Sequence, residues 1–201
     1  MGGVTFRIDE SLFDGRYRTP RELYGDLDRV VRPDLHYHYS TPICAQRWLD
    51  VCNDPAYGHE ALLAQLTAVL PGLVEAIATD RGLDEPVRVT SLGPGDGSID
   101  ERVLRVLDDS AGVVAYRGLD FSYDLLRRTV HRILSGRGYR RPFPIEAVCG
   151  DFTDLGSADP TPGSADPSPH LFLLTGLTLG NYAEDALLRS LREGVIRAGD
   201  Y

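Results

Sequence analysis

The sequence predicts a doubly wound α/β fold preceded by a helical segment. Three observations predict it. From Pro86 onward, short β-rich runs alternate with helix-period segments. A glycine-rich turn follows the first of those runs, at Gly93, Gly95 and Gly97. Acids follow the next two, at Asp120 and Asp151. Alternating strands and helices imply a parallel sheet covered on both faces. The carboxyl ends of such strands, where these glycines and acids fall, are where open α/β sheets bind ligands.

Residues 1 to about 19 show no clear period, and the remainder of the segment 1–85 reads as helical. Pro20 starts "PRELYGDLDRVV", with Leu23, Leu27, Val30 and Val31 apolar. Thr41-Pro42 is an N-cap followed by a first-turn proline, opening "ICAQRWLDVC". "HEALLAQLTAVLPGLVEAIATDRG" carries helix-period leucines, with Pro71-Gly72 expected to break or kink it. These helices read as a cap on the segment 86–201.

In that segment, "VRVTSL" is the first strand. Ser98 and Glu101 form an S-x-x-E capping box for the helix running to about Leu107. "GVVAYRGLD" is the second strand. The helix "SYDLLRRTVHRILSGRG" places Leu126, Val130, Ile133 and Leu134 on one side. "IEAVCGDF" and "HLFLLTG" are the third and fourth strands. "NYAEDALLRSLREG" is a helix with Leu187, Leu188 and Leu191 on one face and an N-x-x-E pattern that makes Asn181 its N-cap. The proline-rich repeat "GSADPTPGSADPSP" at Gly156–Pro169 cannot be helical and reads as a mobile surface loop. "VIRAGDY" looks like the approach to a fifth strand. A four-stranded sheet leaves an edge for the N-terminal helices, a second copy or the rest of a longer polypeptide to cover.

Composition narrows the function classes. Hydrophobic residues are 42% and charged residues 25%, the profile of a soluble globular protein. The formal net charge of -9 argues against a nucleic-acid backbone as partner. Cys44, Cys52 and Cys149 are scattered without metal spacing, and His36 and His38 lack a third ligand. Sparse cysteines fit a reducing compartment, and the absence of an apolar signal region or membrane-length run makes the cytoplasm the expected location.

The glycine turn decides among ligands. Its G-x-G-x-G spacing puts the third glycine one place early for the dinucleotide pattern G-x-G-x-x-G, and no lysine is present for a phosphate loop. Asp96, Asp100 and Glu101 suit the positive end of a helix but would repel a docked pyrophosphate. A ligand bearing ammonium and sulfonium groups tolerates them; S-adenosylmethionine (SAM) is such a ligand. Asp120 can accept from vicinal ribose hydroxyls. Asp151 can accept from an adenine amino group while Phe152 packs on the ring. Each feature alone has a structural explanation as a tight connection or a cap. Their joint spacing over three successive βα units favours a nucleoside site.

In that order, "VTSLGPGDGSID", "YRGLDFSYDLL", "VCGDF" and "LTGLTLGNY" resemble the class I SAM-dependent methyltransferases, and most resemble the histidine-specific branch. The resemblance spans about Val87 to Leu191; "LHYHYSTPICAQRW" and "DPAYG" are more loosely similar to that branch's substrate-binding region. It implies a Rossmann-like fold lacking its C-terminal strands. It implies SAM as cofactor and a small amine acceptor, histidine or a relative. By this resemblance, Gly93, Gly95, Asp96 and Gly97 serve the methionine part of SAM, Asp120 the ribose, and Asp151 and Phe152 the adenine. Thr175 and Asn181 wall the transfer site, with Asn181, Tyr37, Tyr39 and Tyr57 facing the acceptor. The branch carries an acid two places before the first glycine, where this chain has Ser91. A SAM-fold binding or scaffolding module without catalysis is the alternative.

Overall fold

The computed structural model describes residues 2–8, 41–81, 86–136, 138–151, 168–175 and 183–194, with Ile196 and Asp200. Among these residues, five strands form one parallel sheet. They are β1 (Val4–Ile8), β2 (Val87–Leu92), β3 (Val113–Asp120), β4 (Ile145–Cys149) and β5 (His170–Leu173). Their spatial order is β1-β4-β3-β2-β5. The helices are α1 (Pro42–Asn53), α2 (His59–Arg81), α3 (Ser98–Ser110), α4 (Tyr123–Ser135) and α5 (Glu184–Gly194).

The sheet follows from its residues. β2 is buried at Val87, Val89, Thr90, Ser91 and Leu92, as a central strand of a two-sided parallel sheet must be. Alternate side chains fall on opposite faces. On one face, Val87, Val89, Tyr116, Ile145, Ala147 and Cys149 join Leu63, Leu70 and Val74 of α2, Val103, Leu104 and Leu107 of α3, and Leu126, Val130 and Ile133 of α4 in one cluster. On the other, Leu92, Leu119 and Val148 meet Leu187 and Leu191 of α5.

The helix starts obey local capping chemistry. Thr41 accepts the N–H of Cys44 at 3.3 Å with Pro42 in the first turn of α1. Ser122 accepts the N–H of Leu125 at 3.4 Å to start α4.

Several expectations are corrected. Val4–Ile8 is a strand, paired in parallel with β4 from Val4↔Ile145 to Ile8↔Cys149. All five of its residues are exposed, so its apolar–polar alternation has no buried face to reveal it. α2 runs through Pro71 as one helix. Leu134 and Leu188 are exposed, and the apolar stripes of α4 and α5 omit them. The Ser98–Glu101 capping box does not form. Gly97 is the N-cap, Asp96 Oδ1 accepts the Ser98 N–H at 3.0 Å, and Glu101 pairs with Arg105. In α5 the Ala186 and Leu187 N–H groups donate to the Ala183 carbonyl, while Asn181, the expected N-cap, lies outside the described residues. By length and composition, His59–Ile77 is apolar enough to cross a membrane, 19 residues of mean hydropathy 1.4. In this fold it lays Leu63, Leu70 and Val74 on the core. The helix expected at Pro20, most of the proline-rich repeat and most of "VIRAGDY" lie outside the described residues.

Candidate functional site

From β2 the chain moves to β3 and β4 on one side and returns to β5 on the other. β2 is therefore the switch point, and the crevice at its carboxyl end is the fold's natural ligand position. Gly93 to Gly97 follow β2, Asp120 ends β3, Asp151 lies two residues past β4 and Thr175 two past β5. The four sequence-predicted positions thus lie at the carboxyl ends of four neighbouring strands. Tight pairing holds the turns together: Gly93 N–H donates to the Leu119 carbonyl at 2.7 Å, and Gly150 N–H to the Asp120 carbonyl at 3.1 Å.

The three glycines all take left-handed backbone, with φ of 72°, 60° and 75°. Such φ values disfavour any side chain. Beyond that, Gly95 and Gly97 differ. A Cβ on Gly97 would lie 2.8 Å from Thr129 Cα and 2.9 Å from its Cγ2, so Gly97 is required by the approach of α4. A Cβ on Gly95 would meet only Trp48 Nε1, at 4.0 Å. Gly95 is thus the glycine whose backbone stays open to a ligand, while its carbonyl is fixed by the Thr129 hydroxyl at 2.9 Å.

Asp96 also holds the scaffold. Its Oδ2 pairs with Arg132 Nη2 at 2.7 Å, and its carbonyl accepts Arg132 Nε–H at 3.0 Å. Asp120 is buried; Oδ1 accepts Ser122 N–H at 2.8 Å and Oδ2 accepts Gly95 N–H at a longer 3.3 Å. Each carboxylate oxygen has two lone-pair sites, which leaves Asp120 acceptor capacity beside the open glycine. Burial pushes its carboxyl up to about 6, against the hydrogen bonds from Ser122 and Gly95. Asp151 is buried and Thr175 half-buried.

Sequence reasoning missed two residues. Asp100, in the first turn of α3, points inward and is fully buried. Its Oδ1 accepts the Tyr116 hydroxyl at 2.8 Å. Burial raises its carboxyl to about 6, opposed by the Ser91 and Tyr116 hydroxyls. Ser91 is itself fully buried, so an acid absent from position 91 is present nearby on the helix. The apolar moment of α3 could have flagged Asp100, because it shares the inward face with Val103, Leu104 and Leu107. The second is Trp48, held on α1 above Gly95 and in an edge-on pair with Tyr57 at 5.8 Å. As the chain's single tryptophan it carried no spacing signal. Tyr37, Tyr39, Phe152 and Asn181 lie outside the described residues.

The site fits a nucleoside carrying a small charged chain: an open glycine turn, and acids at two neighbouring strand ends. The structure is similar to magnesium protoporphyrin IX methyltransferase from Synechocystis PCC 6803, solved with bound SAM, at TM-score 0.51 and 17% identity over 84% of this chain and 74% of that one. It also matches a SAM-dependent methyltransferase from Thiobacillus denitrificans in complex with S-adenosyl-L-homocysteine, at TM-score 0.35 and 20% identity, covering 68% of this chain and 44% of that one. The [4+2]-cyclase SpnF matches at TM-score 0.39 and 20% identity, over 64% of this chain and 42% of that one. The chain spans less than half the length of these last two. At such identities the likeness shows the fold alone. No curated protein matches the chain. The family model described as "Histidine-specific methyltransferase, SAM-dependent" matches residues 47–200. The chain therefore belongs to the SAM-dependent histidine-specific methyltransferase family.

Proposed function

We propose that the protein N-methylates a small amino-acid-like acceptor, histidine or a related amine, with Asp120 holding the ribose of SAM and Asp151 its adenine. The observation that carries this reading is the Gly95–Asp120 pair: an open left-handed glycine whose N–H is tied to a buried carboxylate at the next strand end. Gly93 and Gly95 take the methionine part. Gly97 and Asp96 act one step back, through Thr129 and Arg132, by holding the turn against α4. Thr175 at the β5 end and Tyr57, backed by Trp48, supply walls for the acceptor. Phe152, Asn181, Tyr37 and Tyr39 keep their sequence-based roles at the adenine and the acceptor. Three free cysteines suit a reducing, cytoplasmic setting.

When bound, SAM supplies an electrophilic methyl group; the chain's residues supply position and electrostatics. The acceptor nitrogen must arrive neutral, and desolvation between the aromatic pair and the sheet end favours the neutral amine. This reading assigns no histidine as a base. His59 lies 3.5 Å from Ser98 Oγ, His131 is exposed on α4, and His170 is held by Thr90 at 2.8 Å. The test is calorimetry with SAM, followed by mass spectrometry of histidine, other amino acids and simple amines after incubation. A gain of one or more methyl groups on histidine or a related amine is expected. SAM binding with no product from any amine would overturn the acceptor class and favour a binding module.

A further inference from the structure

A helix that is apolar on every side is normally covered on every side. α2 departs from this rule. An 18-residue window of His59–Ile77 has a mean hydropathy of 1.4, yet 17% of it is buried. Leu63, Leu70 and Val74 face the core, with Leu66 and Ile77 half-buried beside them. Thr67, next to that face, is held to α3 by Arg102 Nη1 at 2.7 Å.

The opposite side is apolar as well. At about 100° per residue, Leu62, Ala68, Val69, Gly72, Leu73 and Ala76 fall within one arc of about 140°. All six are exposed, the three large ones by 43% at Leu62, 60% at Val69 and 53% at Leu73. No charged side chain occurs from Ala61 to Val74. A Cβ on Gly72 would meet nothing within 4 Å, so the packing of the chain itself does not require this glycine. A glycine inside a helix costs about 1 kcal/mol relative to alanine. What it provides is room on the outside: an open notch of about 480 Å³ is lined by Gly72, Glu75, Ala76 and Thr79.

We propose that a second copy of the chain covers this face, with α2 packed antiparallel on α2 about a two-fold axis at Val69, the midpoint of the arc. Leu62 of one copy then lies level with the Gly72–Ala76 notch of the other. Charge favours this occupant. Two chains of net charge -9 repel, and this face lets them meet without juxtaposing like charges. A bilayer suits it less, because α2 has no Lys or Arg before Arg81 and an anionic leaflet repels the chain. Area is sufficient for a reversible dimer. The arc offers roughly 400 Å² of apolar surface per copy, and with its polar flanks a pair buries about 1,000 Å², where specific interfaces begin. The face is separate from the crevice at the carboxyl ends of the strands, so the inference does not depend on the acceptor proposal.

The test is sedimentation equilibrium of the purified chain from about 1 to 500 μM. A monomer–dimer equilibrium with a Kd on the order of 1–100 μM is expected, as for an interface of this size. V69E and V69K, each placing like charges together at the axis, are expected to weaken association at least about 30-fold while Tm and SAM binding stay unchanged. An equimolar mixture of V69E and V69K should associate again, since Glu then faces Lys across the axis. A wild-type chain that stays monomeric at about 500 μM would overturn the proposal; flotation of that monomer with phosphatidylcholine vesicles, lost in V69E, would identify a bilayer as the occupant instead. A dimer that persists in both V69E and V69K would place the interface elsewhere and overturn it equally. So would a mixture of the two that remains monomeric.

Discussion

The two faces of the sheet are built differently. One is apolar from Val87 and Ile145 at its amino end to Cys149, with buried carboxyls at Asp100 and Asp120 toward the carboxyl end and, on α3, at Asp108, which accepts the Arg140 N–H. The other is apolar only over its carboxyl half, where Leu92, Leu119 and Val148 meet α5. Its amino half carries Arg88, Thr90 with His170, and Arg117 with Glu146. Burying charge opposes folding unless something compensates for it. Among the described residues, the strands themselves bury charge in two places: Asp120 beside the glycine turn, and Arg117, paired with Glu146, on the other face.

The glycine turn is where this contrast is most easily broken. Gly97→Ala should produce the largest effect. The left-handed backbone costs about 1–2 kcal/mol for a side chain, and overpacking against Thr129 at 2.8 Å adds about 1–3 kcal/mol. A loss of about 3–4 kcal/mol in denaturant unfolding is expected. A loss under 1 kcal/mol would mean that α4 yields freely, and that Gly97 is not a packing glycine. Gly95→Ala separates the two roles, because only Trp48 Nε1 is near its new Cβ. It should cost about 1–2 kcal/mol in stability but weaken SAM binding at least tenfold; a stability loss with unchanged affinity would count against the open-glycine reading.

Next in size is Asp120→Asn. An amide keeps the shape but offers the ribose one oxygen and no charge. About 2 kcal/mol of binding, roughly 30-fold in the Kd for SAM, should go. Adenosine, which shares the ribose, should weaken by a similar factor, measured by calorimetry. An unchanged adenosine affinity would place the ribose elsewhere.

The alternation of strands and helices made the sheet legible from the sequence, because a change of hydrophobic period from 2 to 3.6 marks each crossover. β1 was not legible, since a five-residue edge strand with both faces exposed has no buried side to impose a pattern. The placement of Gly95, Asp120 and Asp151 at neighbouring strand ends was readable from position alone. The division of labour between Gly95 and Gly97 was not, because it depends on Thr129, 32 residues beyond Gly97 and brought there by α4 packing. Capping at Ser98 was misjudged for a related reason. Asp96, two residues earlier, reaches the Ser98 N–H first, and Arg132 then holds Asp96 in place.

Asp100 gives the smallest expected effect and the sharpest reading of the first face. Its carboxyl stands near 6 in the fold and at 3.8 ordinarily. Below pH 3.8 it is protonated in both states and the shift has no effect on stability. Between 3.8 and 6 the folded chain holds a proton that the unfolded chain releases, so stability falls as pH rises. Above 6 the penalty is complete and constant. Asp100→Asn removes it while an amide oxygen can still accept from Tyr116, so a gain of about 1 kcal/mol is expected at pH 7.5, shrinking toward pH 4. Asp100 also helps to raise Asp120. If Asp120 accepts from the ribose as proposed, SAM affinity should fall as pH drops through about 6 in the wild type, and this midpoint should move lower in Asp100→Asn. A stability gain with an unmoved midpoint would separate the two acids and leave Asp100 with a purely structural burial cost.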